Sequence, residues 1–392
     1  MASNHEQLHN LAIFDIDSAS IGVAVVSYKK GTAIPVRELL SLRVQLDTHL
    51  SFDDFFARTL RSLEELTQKV LHDTHAPIHD IYVSLSAPWM SSQKRIARYE
   101  RKKPFEFNQK RAREIIEKEL KDPLSKNLDY HHFDDLEIFE RRTTDIYLNG
   151  YPSLNALSKK NKVTKVEIHS ITSVISHTTK EAFSHIFERA FSRVPQFISN
   201  TFVLYQAIQK FIPDENSTLI LDVGGTNTQV LVVHDDHLSS IASFPVGREQ
   251  LIHEFSERAS VSFAKARSLI SLFTQNALDP QYQEGLSKLM DQSYRIWMKS
   301  FFELCDVLSS KKLLPSTLCL IAPSDISAWL RYHIMSTDEL SEHVHSAHSL
   351  QLVELPLYLK LKAEDEGLAH LSDSELIPVI DVVGSLLQEQ AK

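Results

Sequence analysis

The stretch LILDVGGTNTQVLVV, residues 219–233, decides how the rest of the chain is read. Apolar residues lead to Asp222, a polar tip with two glycines runs from Gly224 to Thr228, and β-branched residues follow. A strand–turn–strand of this kind aims several backbone N–H groups at one point, which suits a phosphate. Glycine at the tip lets the backbone approach closely, and Thr226 and Thr228 add hydroxyl donors. An aspartate at the strand end would not touch phosphate, because like charges repel; it would hold Mg²⁺ through water. The bland alternative is an ordinary hairpin in which Asp and Asn make Asx-turns.

A second copy counts against that alternative. In LAIFDIDSASIGVAVVSY, residues 11–28, the run Asp15-Ile16-Asp17-Ser18-Ala19-Ser20-Ile21-Gly22-Val23 aligns with Asp222-Val223-Gly224-Gly225-Thr226-Asn227-Thr228-Gln229-Val230. A repeat at about half the chain length indicates two related halves rather than a short-period solenoid. Two such turns facing each other would clamp a triphosphate between two lobes.

Composition allows this. The chain has 392 residues, enough for two or more ordinary cores, with 43% hydrophobic and 24% charged residues. A net charge of -9 argues against a general nucleic-acid binder. Cys305 and Cys319 form no disulfide framework and have no metal-ligand spacing around them, which fits a reducing compartment. The start, MASNHEQLHN, does not read as a signal peptide, and no apolar run reaches the roughly 20 residues of a spanning helix.

Between the two turns, 51–71 has helical apolar spacing and DIYVSLS (80–86) alternates as a strand. Residues 109–121 read as a charged helix with Glu114/Lys118 and Glu117/Lys121 pairs. Residues 138–154 read as strand broken by the turn Asn149-Gly150, 163–175 as a longer strand, and 178–191 as helix. After the second turn, HDDH (234–237) closes a hairpin, helices follow from Arg248, LCLI (318–321) is a buried strand, and a helix lies near 325–335. Ser372 and Glu375 have capping-box spacing before a last helix.

The paired turns resemble the phosphate-binding hairpins of the actin-like ATPases, and the order of the parts between them is similar to the FtsA and PilM branch. DIYVSLSAPWMSSQ (80–93) looks like the opening strand of that branch's inserted subdomain, and DIYLNGYPSLNALSKKNKVTKVEIHSI (145–171) resembles its later stretch. FPVGREQLIHEFSERASVSFAKARSLI (244–270) is similar to the segment after the second phosphate turn. The resemblance runs from about residue 11 to 385. It implies an α/β, actin-like (ribonuclease H-like) two-lobed fold with an inserted small α+β subdomain. The first lobe would span 11–79 and 178–215, the insert 80–177 and the second lobe 216–392.

Carried over by position, the resemblance implies ATP and Mg²⁺ as cofactors, with Asp15 and Asp222 near the metal. Ser18, Ala19, Ser20, Gly224, Gly225, Thr226, Asn227 and Thr228 become phosphate-facing, Gly247 borders the nucleotide, and Lys265 and Arg267 reach toward the ribose, with Ser324 in the adenosine-side turn. Ser199 or Asn200 would orient water, Asn200 being the catalytic candidate. Two departures weaken hydrolysis and leave at most a weak ATPase. Asp17 stands where the family's first turn has glycine, adding a carboxylate beside the phosphates. Ala322-Pro323-Ser324 stands where paired glycines usually follow the adenosine-side strand, and proline removes a donor and fills space.

Other constellations carry less. Residues 91–113 hold nine Lys or Arg among Tyr99, Phe105 and Phe107, which could meet anionic lipid, an acidic partner or nucleic acid, against a solvated face as the plain reading. His343, His345 and His348 do not share a helical face and have no cysteine to complete a zinc set; His131-His132 and His234/His237 read as loop histidines.

The expected role is a cytoplasmic scaffold, ATP-regulated, at the inner face of the membrane through partners. In a PilM-like setting it would hold the cytoplasmic tail of a membrane protein in type IV pilus assembly. In an FtsA-like setting it would tether division filaments, although DVVGSLLQEQAK lacks the basic amphipathic anchor that role uses. Self-association fits either; nucleic acid and a transmembrane segment of its own fit neither. The rivals are a nucleotide-free pseudo-ATPase scaffold and a sugar or acetate kinase on the same fold.

Overall fold

The computed structural model describes residues 8–29, 32–46, 51–119, 135–153, 156–157, 161–212, 216–275, 277–310, 312–344, 350–355, 371, 373 and 375–390. Ser372, Lys121, His131, His132, His345 and His348 lie outside the described residues.

Two five-stranded sheets share one plan. In the first, β1 (Leu8–Ile16) pairs antiparallel with β2 (Ser20–Lys29), which pairs antiparallel with β3 (Pro35–Gln45). On its other side β1 runs parallel to β4 (Asp80–Leu85), and β4 parallel to β9 (Gln196–Ser199), giving the order β3-β2-β1-β4-β9. The second sheet repeats this as β12 (His237–Phe244), β11 (Thr228–His234), β10 (Thr218–Val223), β13 (Thr317–Ile321) and β14 (Gln351–Glu354), with the same strand directions. The repeat seen in the two turns is therefore a repeat of the whole sheet.

Alternation along the strands explains the layers. Leu11 and Ile13 of β1 and Ile220 of β10 face a shared core with α4 (Asn200–Phe211) and α9 (Ile377–Gln390), so these two helices lie between the sheets. Ala12, Phe14 and Ile16 face the opposite side, where Leu63, Leu66 and Val70 of α1 (Phe52–Asp73) and Phe183 and Phe187 of α3 (His177–Phe191) cover them. On the far side of the second sheet, Leu219, Leu221 and Val230 pack with α5 (Arg248–Ala259), α6 (Phe263–Thr274), α7 (Pro280–Ser309) and α8 (Ser327–Ser336). Strands β1, β2 and β10 are buried on both faces, which is why they read as nearly continuous apolar runs.

A third, four-stranded sheet sits within the first half. Its order is β5 (Met90–Phe107), β8 (Asn161–Ser176), β6 (Leu136–Leu148) and β7 (Tyr151–Pro152), with α2 (Gln109–Glu119) packing Ala112 and Ile115 onto Phe105 and Phe107. Here the structure differs from the sequence reading in one respect. Asp80–Leu85, expected to open the insert, instead lies between β1 and β9, because its five buried residues fill a central place in the first sheet. Asn149 and Gly150 both have positive φ and form the two-residue turn between β6 and β7. Glu140 of β6 accepts hydrogen bonds from the backbone N–H (3.0 Å) and the hydroxyl of Ser199, tying the third sheet to the end of β9. His237 meets Asp145 at 2.5 Å, tying it to the β11–β12 hairpin as well.

Candidate functional site

Because β1 and β10 occupy equivalent central positions, their carboxyl-terminal turns emerge at corresponding ends of the two sheets, and they meet. Ser18 Oγ accepts hydrogen bonds from Gly225 N (2.7 Å) and Thr226 N (3.2 Å). The approach is so close that a Cβ on Gly225 would lie 2.8 Å from Ala19 Cβ, which only glycine avoids. Asn200, the first residue of α4, donates from Nδ2 to Asp222 Oδ2 at 2.8 Å.

A cavity of about 110 Å³ lies beside this contact. Asp15, Asp17, Ser20, Asn200, Asp222 and Gly224 line it, joined by Arg43, Glu375, Ala322 and Pro323. The two strand-end aspartates, the catalytic candidate Asn200, and Ser20 and Gly224 are thus brought together. Other residues from the expected set fall elsewhere. Thr228 Oγ1 is buried, donates to Val246 O (2.7 Å) and accepts from Trp297 Nε1 (2.9 Å), so its hydroxyl is used inside the second half. Lys265 and Ser324 are exposed, Arg267 is half-buried, and none of them lines the cavity. Gly247 is buried behind the second turn, where the N–H groups of Arg248 and Glu249 donate to Gly224 O (2.9 Å) and Gly225 O (2.8 Å). The turn's own carbonyls therefore cap the start of α5.

Arg43 is the residue that sequence reading missed. It projects from β3 opposite Gly22 of β2, and a Cβ on Gly22 would lie 2.7 Å from its Nη2. Its Nη1 donates to Ser20 Oγ (2.9 Å) and meets Glu375 Oε2 (3.1 Å), its Nε donates to Asp373 Oδ2 (2.8 Å), and Asp15 Oδ2 stands 4.0 Å away. The available signal was Gly22 itself, since glycine inside a strand marks a close approach by another group. Arg248 was also missed: its guanidinium forks onto both carboxylate oxygens of Asp325 and reaches Glu249 at 2.6 Å. A cation in the first turn of a helix opposes the macrodipole, and that was its signal.

One guanidinium cannot neutralise all these carboxylates. Burial pushes Asp222 up to about 8, with repulsion from Asp17 and Asp15 adding to it, and pushes Asp15 up to about 7 although Arg43 works the other way. Asp17 is raised too, again chiefly by burial. At neutral pH the cleft therefore holds protons on some of its carboxyl groups.

These residues do not fit a magnesium triphosphate. The N–H groups of Gly225 and Thr226 already donate to Ser18, and Gly224 N donates to Asn227 O at 2.9 Å. Asp17 faces the cavity instead of turning away from it, and Pro323 stands in the wall. The volume is also well below the roughly 300–1,000 Å³ of ordinary small-molecule sites.

No protein-family profile matches the chain, and no curated protein matches it. Among solved structures, the chain is similar to one described as the PilM-PilN type IV pilus biogenesis complex, with a TM-score of 0.61, 11% identity, and 98% of each chain covered. The ethanolamine utilization protein EutJ from Carboxydothermus hydrogenoformans gives 0.42 at 10% identity over 87% of this chain and 83% of that one. A Bacteroides thetaiotaomicron protein with an actin-like ATPase fold and unknown function gives 0.36 at 10% identity over 90% and 93%. Among the described residues no helix is long and apolar enough to cross a membrane. With its duplicated sheets, converging turns and third sheet, this chain has an actin-like fold, shared over its length with the solved PilM-PilN structure.

Proposed function

We propose that the chain is a PilM-like scaffold, working at the inner face of a membrane through a protein partner, whose interlobe cleft is held by its own side chains rather than by nucleotide. The first lobe, the inserted sheet and the second lobe act as one platform, with the insert beginning after β4. The fold likeness to a PilM in complex with PilN supports the scaffold role. The observation that carries nucleotide independence is the occupied cradle: Ser18 on the turn N–H groups, and Arg43 among Asp15, Asp373 and Glu375. A phosphate entering there would have to displace Ser18 and draw Arg43 from its carboxylates, and would meet Asp17 and Asp222 with Arg43 as the one cation among the described residues that line the cavity.

The test is thermal unfolding with and without Mg²⁺-ATP, on the wild-type chain and on Asp222→Ala. A ligand at 100 times its dissociation constant stabilises by about 2.7 kcal/mol, so binding would be plain. We expect no displacement of the midpoint by ATP in either protein. A rise in the wild type that Asp222→Ala abolishes would restore the ATP-regulated reading. In parallel, the cytoplasmic segment of a PilN-type pilus protein should co-elute with the chain, and failure of every such segment to do so would remove the pilus setting.

A further inference from the structure

The far end of the third sheet is distant in the fold from the cleft; none of its residues lines the cavity. Register brings its parts together. Glu100 of β5 faces Lys165 of β8, and Phe105 faces Val163, so residues 101–104 bulge out of the ladder at an edge strand. Phe105 and Phe107 turn inward onto α2, while Arg101, Lys102, Lys103 and Pro104 are all exposed in succession. Lys162 and Lys165 stand on the neighbouring strand at the same end, and Arg98 lies just before the bulge. The Asn149-Gly150 turn is fastened there too, since Asn149 Oδ1 accepts from Thr164 N (2.9 Å) and Lys165 N (3.0 Å). That places Tyr151, 76% exposed, at the same end of the sheet.

Arg98 and Lys165 share Glu167, at 3.6 and 2.9 Å, but Arg101, Lys102, Lys103 and Lys162 make no ion pair among the described residues. Lysine and proline on an edge strand do protect it from pairing with other chains. Lys165 is matched by Glu167 and Lys162 faces Glu106 across the ladder, but edge protection leaves the exposed tyrosine without a reason.

We propose that this end of the sheet is a docking surface for an anionic lipid bilayer. The cations occupy a bulge and strand ends, and point charges on flexible stems suit a fluid layer of headgroups. Tyrosine is a residue of the membrane interface, its ring entering the acyl boundary while the hydroxyl stays among headgroups. Each cation near an anionic surface raises partitioning by about fivefold, and such a surface reinforces a protein anchor rather than replacing one.

The experiment is sedimentation of the full chain with phosphatidylserine-containing vesicles and with pure phosphatidylcholine vesicles, alongside a polyglutamate peptide and a DNA duplex as alternative polyanions. Binding is expected to the serine-containing vesicles only, to fade as salt rises from about 0.05 to about 0.5 M, and to fall on the order of 100-fold in R101E/K102E/K103E. All three positions are exposed, so the variant should unfold at the wild-type temperature. Y151S should lower vesicle binding several-fold without changing its salt dependence. Equal binding to both vesicle types, no loss in the triple variant, or binding to peptide or DNA without binding to vesicles would each overturn the proposal.

Discussion

Ser18 shows how one hydroxyl can stand where a ligand's oxygen would. It satisfies two neighbouring N–H groups of the second turn from a residue of the first, so it is a strut between halves of the chain. In Ser18→Ala the buried Gly225 N–H and the part-buried Thr226 N–H both lose their partner, and the expected loss of stability is about 2 kcal/mol, read by urea unfolding. A loss no larger than that of an exposed serine would mean that water replaces the hydroxyl and that the turns are not locked. Gly225 makes the same point sterically: Gly225→Val would push the turns apart at Ala19, at an expected cost of about 1–3 kcal/mol. Neither effect could be foreseen from the turns alone. Their composition announced a cradle for a phosphate, and only the tertiary structure revealed that Ser18 accepts from its Gly225 and Thr226 N–H groups.

At the scale of elements, the start of α5 is held by two devices. The carbonyls of Gly224 and Gly225 cap its first N–H groups, and Arg248 pins it to Asp325 ahead of α8. Arg248 is 7% exposed, so its removal would strand Asp325 and Glu249. Arg248→Ala should cost about 3–5 kcal/mol, and the added change Asp325→Leu should recover a large part of it, because the loss lies mainly in the unpaired charge. A double variant as unstable as the single one would contradict that account. The elements themselves were largely legible. Period-3.6 and period-2 patterns located α1, α3, β8, β13 and α8 close to their observed limits. The strand β4 was located correctly but assigned to the wrong sheet, since a buried apolar run carries no mark of which neighbours it pairs with.

For the whole molecule, the cleft makes stability depend on pH. Asp222 and Asp15 hold protons more tightly in the folded chain than in the unfolded one, with values near 8 and 7 against an ordinary value near 4. Ionising them therefore costs folding free energy that is absent at pH 4 and grows as pH rises toward 8. Asp222→Asn keeps an acceptor for Asn200 and removes the charge. It should leave stability unchanged near pH 4 and raise it at pH 8 on the order of 2 kcal/mol. Unfolding curves of the two proteins that stay parallel across this range would show that the carboxyl is already ionised in the fold.

The sequence by itself determined the duplication and the two turns with their aspartates, because strand periodicity and turn chemistry are local properties written in neighbouring residues, and its resemblance to the actin-like ATPases implied the two-lobed plan. Only the tertiary structure decided what the cleft contains. Arg43, Asp373 and Glu375 come to Asp15 from distant strands and loops, and the field at a buried carboxylate depends on which charges the fold carries within a few ångströms of it.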